Sequence, residues 1–127
     1  MTAGDDRPKL MTQTLGDITV AEFLEVRILD DQTIQEVEEE LMELGGDAYQ
    51  LRLVLSFSNV EYMSSAVLGK LVKLRKRVRE GNGDVKLCGI SDEIMEVFEI
   101  TQLDQVFDIH EDQGEAVQAF KNETLSG

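Results

Sequence analysis

The stretch Leu51-Arg-Leu-Val-Leu-Ser-Phe57 does most to limit what this chain can fold into. It is apolar enough to be a central strand, buried by neighbours rather than half exposed. The residues after it fix the connection. Val67, Leu71, Leu74 and Val78 recur at helical spacing, Leu68 and Val72 widen the stripe, and Gly81-Asn-Gly83 stops it. Val85 to Cys88 then reads as another strand. A strand, a helix and a strand in that order imply a right-handed crossover and a parallel pair.

The rest of the chain extends the alternation. Leu10 to Leu15 and Ile18 to Phe23 flank Gly16-Asp17 as a hairpin, and the residues to Ile28-Leu29 either lengthen the second strand or add a short third one. Asp30 or Asp31 caps a helix with Ile34, Val37, Leu41 and Leu44 on one face, closed by Gly45-Gly46. Glu36, Glu38, Glu39, Glu40 and Glu43 fall mostly on its wet side. Ser91 starts a helix carrying Ile94, Val97 and Phe98. Leu103, Val106, Phe107 and Ile109 predict a loop and a short strand, and Ala116, Val117 and Phe120 a last helix. The expected order is β-β-α-β-α-β-α-β-α. It describes a single α/β domain with about four helices and a mixed, mainly parallel sheet of four to five strands, the hairpin forming its antiparallel edge. The domain is expected over 10–121, between a flexible tail at 1–9 and a C-terminal tail at 122–127.

Composition excludes several functions. A formal charge of −14 opposes nucleic-acid binding, which draws its affinity from cations meeting phosphates. No apolar run approaches the roughly 20 residues of a membrane span, and M-T-A-G-D-D-R-P-K lacks the apolar core of a signal peptide. The single cysteine, Cys88, forms no intrachain disulfide or multi-cysteine metal site, and its place at the end of an apolar strand predicts a buried, inert thiol. His110, the only histidine, is expected on the surface near the last strand, with no serine–histidine–carboxylate order around it. Gly81-Asn-Gly-Asp84 closes a helix instead of opening one, so it is no phosphate loop. Asp5-Asp6 and Asp30-Asp31 lack the ligand spacing of a calcium loop. The expectation is therefore a cytoplasmic monomer with no catalytic residue, metal or cofactor, no nucleic-acid or membrane partner, and no enzymatic activity.

Two features remain. Lys70, Lys73, Arg75, Lys76, Arg77 and Arg79 supply half of the 12 basic residues within one helix; they form either a solvated face or a docking surface for an acidic patch on a partner. Two adjacent serines, Ser64 and Ser65, open that helix. A hydroxyl there can simply cap the helix, worth about 1 kcal/mol.

Three segments carry a family resemblance: R27-I-L-D30, V60-E-Y-M-S-S-A-V-L-G69, and C88-G-I-S-D-E-I-M-E-V-F-E-I-T-Q-L-D-Q-V-F-D108. Together they resemble a STAS domain, specifically the stand-alone anti-sigma factor antagonists of bacteria. The second segment is similar to the family's Met-Asp-Ser-Ser/Thr-Gly-Leu-Gly passage. Ser64 takes the aspartate's position, Ser65 the phosphoacceptor's, Ala66 that of the second hydroxyl and Val67 that of the first glycine. Leu68 and Gly69 match directly. Asp30 matches the aspartate of the family's first turn, whose usual glutamate is replaced by Ile28. The resemblance implies a regulator that binds an anti-sigma Ser/Thr kinase when unphosphorylated and is released when Ser65, or as second choice Ser64, is phosphorylated. A Ser/Thr phosphatase would reset it. The implied contact surface is Asp30, Ser64, Ser65, Ala66, Leu68, Gly69, Lys70 and Lys73. Two other readings stay open, a STAS scaffold that is never phosphorylated and an interaction module that senses a small ligand.

Overall fold

The computed structural model describes residues 7–126, so 1–6 and 127 of the expected tails lie outside the described residues. The hairpin forms as expected, β1 (Leu10–Leu15) against β2 (Ile18–Phe23), with Gly16 supplying the left-handed turn residue at φ +65°. After it come β3 (Arg27–Ile28), α1 (Asp31–Gly45), β4 (Arg52–Ser56), β5 (Tyr62–Met63), α2 (Ala66–Glu80), β6 (Asp84–Cys88) and α3 (Asp92–Ile100). A 3₁₀ turn (Leu103–Gln105), β7 (Asp108–His110) and α4 (Gln113–Ser126) complete the order.

The main sheet runs β1-β2-β4-β6-β7, with β1 antiparallel at one edge and every other pair parallel. Without the two-residue strands the elements keep the expected order β-β-α-β-α-β-α-β-α. The addition is a second, two-stranded sheet in which β3 lies parallel to β5. It matters because it joins the first two of the three segments that carry the resemblance.

Alternation along the strands divides the core in two. Ala21, Phe23, Leu53, Leu55, Val85 and Leu87 face α1, α2 and α3, whose Val37, Leu41, Val67, Leu71, Leu74 and Phe98 close over them. Ile18, Val20, Val54 and Cys88 face the opposite way, toward Ala116, Val117 and Phe120 of α4. Burial pushes the Cys88 thiol up, in keeping with an inert core cysteine. Val72, read as part of the α2 stripe, is instead exposed.

The stop signals act differently from the simple expectation. Gly45 and Gly46 adopt no left-handed conformation; Gly45 is buried, and a methyl group there would lie 2.8 Å from Leu74 Cδ1 and 2.9 Å from Val78 Cγ2. It is small so that α1 can approach α2. In Gly81-Asn-Gly83 the left-handed residue is Asn82, at φ 66°. Gly83 allows close backbone approach instead, since a Cβ on it would meet the Leu51 carbonyl oxygen at 2.2 Å.

Several surface expectations are corrected. Lys9 is no part of a flexible tail. It is buried, with Nζ 3.6 Å from Glu25 and 3.5 Å from Glu36. Glu40 accepts hydrogen bonds from the N–H groups of Lys9 (2.7 Å) and Leu10 (3.0 Å), so part of the glutamate run fastens the chain's entry into β1. Helix α4 continues to Ser126, past the boundary expected at 121. His110 is half-buried on β7, its Nε2 3.1 Å from Asp108. Lys86, on the inner strand β6 and on the sheet face that α4 covers, is only 1% exposed although charged. Its ammonium bonds Asp108 (2.5 Å) and Glu123 (2.6 Å) and lies 4.7 Å from the centre of the Phe120 ring. Burial opposes the Lys86 charge, but the two carboxylates outweigh it and its pKa is raised.

Candidate functional site

The central strand delivers the chain to the site. Beyond β4, Phe57 is buried with its ring centre 4.6 Å from that of Phe23, and its N–H donates to the Cys88 carbonyl (2.9 Å). The turn after it is closed by Val60 N–H to the Phe57 carbonyl (2.9 Å). Asn59 holds that turn to β2: its side-chain amide donates to Glu22 (3.2 Å) and to the Phe23 carbonyl (3.1 Å). Ser58 donates to the same Glu22 carboxylate (3.1 Å).

The chain then runs beside the start of the first crossover, between β2 and α1. Glu61 and Tyr62 N–H groups donate to the Val26 carbonyl (2.9 and 3.1 Å), and Ser64 N–H donates to that of Ile28 (2.8 Å). These bonds set the serines next to the turn that leads into Asp30. Asp30 is the N-cap of α1. Its carboxylate accepts from the Thr33 N–H (2.7 Å) and hydroxyl (3.0 Å), and those bonds, the backbone one foremost, hold its pKa below the usual carboxylate value.

The two serines are not equivalent. Ser64 is half-buried; its carbonyl accepts from Val67 N–H (3.0 Å) and its Oγ from Ala66 N–H (3.2 Å). Its N–H, carbonyl and hydroxyl are thus all engaged, and it caps the helix. Ser65 already has helical backbone angles, is exposed, and makes no side-chain capping bond. Its hydroxyl stands uncommitted at the first turn of α2, where no acidic residue offsets the positive end of the helix dipole.

The remaining expected contact residues divide. Ala66 and Gly69 are exposed beside Ser65, and a Cβ on Gly69 would meet nothing within 4 Å, so a partner can approach the α2 backbone there. Leu68 is a correction: at 3% exposure it faces the core, since it lies on the apolar stripe of α2 with Val67 and Leu71. Lys70 and Lys73 are already paired, both with Glu38 of α1 (3.1 and 3.2 Å). The Lys70 hydrogen bond is the main reason the Glu38 pKa is lowered. Between the two helix starts lies a groove of about 410 Å³ lined by Asp31, Ile34, Gln35, Glu38, Glu39, Ala66 and Lys70.

The sequence reading missed an apolar rim. Val26, Leu29 and Tyr62 are exposed around the small sheet, and the Arg27 guanidinium lies 5.0 Å from the centre of the Tyr62 ring. The alternation Val60-Glu-Tyr-Met63 was the available signal, but two residues of strand are too few for a period to stand out. Among the described residues no group of three or more His, Cys, Asp or Glu is placed to hold a metal ion, and no helix is long and apolar enough to cross a membrane.

The STAS domain family model matches residues 17–116. An anti-sigma-B factor antagonist of Staphylococcus aureus is 31% identical over 104 residues, which cover 80% of this chain and 95% of that protein. Among solved structures, an anti-sigma factor antagonist (STAS) domain protein from Planctomyces limnophilus superposes with a TM-score of 0.77 at 22% identity, covering 87% of this chain and 96% of that one. The Bacillus cell fate determinant SpoIIAA in its phosphorylated form superposes at 0.62 with 13% identity, covering 87% and 98%.

Proposed function

This chain belongs to the STAS domain family and to the anti-sigma factor antagonists within it, and from that premise we propose that it works by phosphorylation-controlled partner switching. The unphosphorylated protein binds an anti-sigma factor that is itself a Ser/Thr kinase, which frees a sigma factor. Phosphorylation of Ser65 ends the binding, and a Ser/Thr phosphatase restores it. The protein is a regulator, not an enzyme.

One observation carries this reading: of the two serines, only Ser65 offers an exposed hydroxyl without a structural task. A kinase can take that hydroxyl without uncapping α2. Phosphate adds roughly −1.5 to −2 charges at neutral pH, and a helix N-terminus tolerates an anion without unfolding. The switch would therefore act at the interface and leave the fold alone. Asp30 and Asp31 at the neighbouring helix start already make this surface acidic, so phosphate would add to like charge and oppose desolvation against a partner. Ala66, Gly69 and the apolar rim of Val26, Leu29 and Tyr62 supply area for the bound state.

Incubation with the anti-sigma kinase and ATP, followed by intact-mass measurement, tests the proposal. Wild type and Ser64→Ala should each gain one phosphate, and Ser65→Ala none. Wild type without added phosphate would leave the scaffold reading in its place.

A further inference from the structure

Strand β1 ends the sheet with one side unpaired, and its residues, Leu10-Met-Thr-Gln-Thr-Leu15, carry no charge in a chain that is 30% charged. Edge strands are ordinarily protected by charges, proline, a bulge or a cover, because their free N–H and C=O groups template further pairing. Here the register to β2 is continuous from Leu10 to Leu15, with no bulge and no proline. Among the described residues only the entry is covered, where Glu40 takes the N–H of Leu10.

The ladder decides which backbone groups point outward. Leu24 N–H donates to the Lys9 carbonyl, and in an antiparallel pair alternate residues turn toward the partner strand. The Lys9 carbonyl and the backbone groups of Met11, Gln13 and Leu15 therefore face β2, while those of Leu10, Thr12 and Thr14 face out; the Lys9 N–H, ahead of the strand, goes to Glu40 instead. Glu40 reaching the Leu10 N–H fits this parity. The open edge consists of Thr12 and Thr14.

The side chains on this edge read the same in both directions: Met11-Thr-Gln-Thr-Leu15 is apolar, threonine, glutamine, threonine, apolar. Met11, Gln13 and Leu15 lie on the sheet face that α4 covers over the inner strands, yet Met11 is 59% and Leu15 38% exposed. We propose that β1 pairs antiparallel with β1 of a second copy about a two-fold axis at Gln13. In that register Thr12 of each copy stands opposite Thr14 of the other, and each such pair exchanges two backbone hydrogen bonds. Each exposed Met11 meets an exposed Leu15, and Gln13 faces Gln13. Every cross-strand pair is neutral, so two copies of formal charge −14 approach along an uncharged strand. This self-complementarity selects a second copy over a foreign strand. None of the residues involved belongs to the Ser65 surface, so the pairing stands or falls independently of the switch.

Sedimentation of the full chain over a range of concentrations, at low and high salt, tests it. The expected result is a monomer–dimer equilibrium that salt strengthens, because screening relieves the repulsion between acidic copies. Gln13→Lys sets two like charges opposite each other and should weaken the dimer at least tenfold with unchanged thermal unfolding. Gln13→Cys should give a disulfide-linked dimer on mild oxidation, since residues opposed at a non-hydrogen-bonded position have Cα atoms about 4.5 Å apart. Tyr49→Cys, exposed on the loop between α1 and β4, should not. A wild-type chain that stays monomeric at high concentration and high salt overturns the proposal and leaves the edge to a strand of another protein. A dimer that Gln13→Lys does not weaken also overturns it, by placing the interface elsewhere.

Discussion

Replacing each serine by alanine separates the two roles assigned to them. Ser64→Ala removes the Oγ that accepts from the Ala66 N–H at 3.2 Å, on a half-buried residue whose other polar groups stay bonded. Losing such a cap costs about 1 kcal/mol. For 127 residues the entropy of unfolding is roughly 0.27 kcal/mol/K, so the cost lowers Tm by about 4 °C. Ser65→Ala breaks no side-chain capping bond and puts a good helix former on an exposed first turn, so its effect stays within about ±0.5 kcal/mol, or about 2 °C. Differential scanning calorimetry on the three proteins reads both numbers. A Ser65→Ala loss as large as that of Ser64→Ala would reverse the assignment, make Ser65 the cap, and remove the observation on which the switch rests.

Glycine substitutions at the α1–α2 contact and on the open side of α2 should move stability in opposite directions. Gly45→Ala drives a methyl into Leu74 and Val78, and overpacking of about 1–3 kcal/mol outweighs the gain in helix propensity, so chemical denaturation should show a net loss. Gly69→Ala meets open space and should stabilise by about 0.5–1 kcal/mol. Lys86→Met keeps the stem over Phe120 and lets half-exposed Asp108 and Glu123 return to water, so urea unfolding at pH 7 should change by less than about 1 kcal/mol; Lys86→Ala should cost about 2 kcal/mol. Burial raises the Asp108 pKa, but the Lys86 and His110 bonds outweigh it and the folded value lies below the usual one. Its contribution is therefore present above about pH 3.9 and lost as pH falls through the folded value, and the acid slope of stability should flatten in Lys86→Met.

Periodicity made the main sheet legible. The hairpin, Leu51–Phe57 and the stripe from Val67 to Val78 each span enough residues for a period of two or 3.6 to show, and their order fixes the crossovers. The short strands β3 and β5 do not, because two residues have no period; hydrogen bonds between segments distant in sequence create them. Ser64 as the cap was readable from its place before an apolar run. Leu68 was misplaced because a motif position says nothing of side-chain direction, which the apolar stripe of α2 decides. Lys70 and Lys73 looked free because their partner, Glu38, reaches them only once α1 docks on α2. Lys86 was invisible for the same reason: Asp108 and Glu123, far along the chain, make its burial tolerable.

The switch itself depends on what one phosphate does to binding. Titration calorimetry of the anti-sigma kinase, without ATP, against the unphosphorylated protein and against protein phosphorylated at Ser65 measures this directly. The phosphorylated form should bind at least tenfold more weakly while its thermal unfolding keeps a single transition. Equal affinity for the two forms would contradict it.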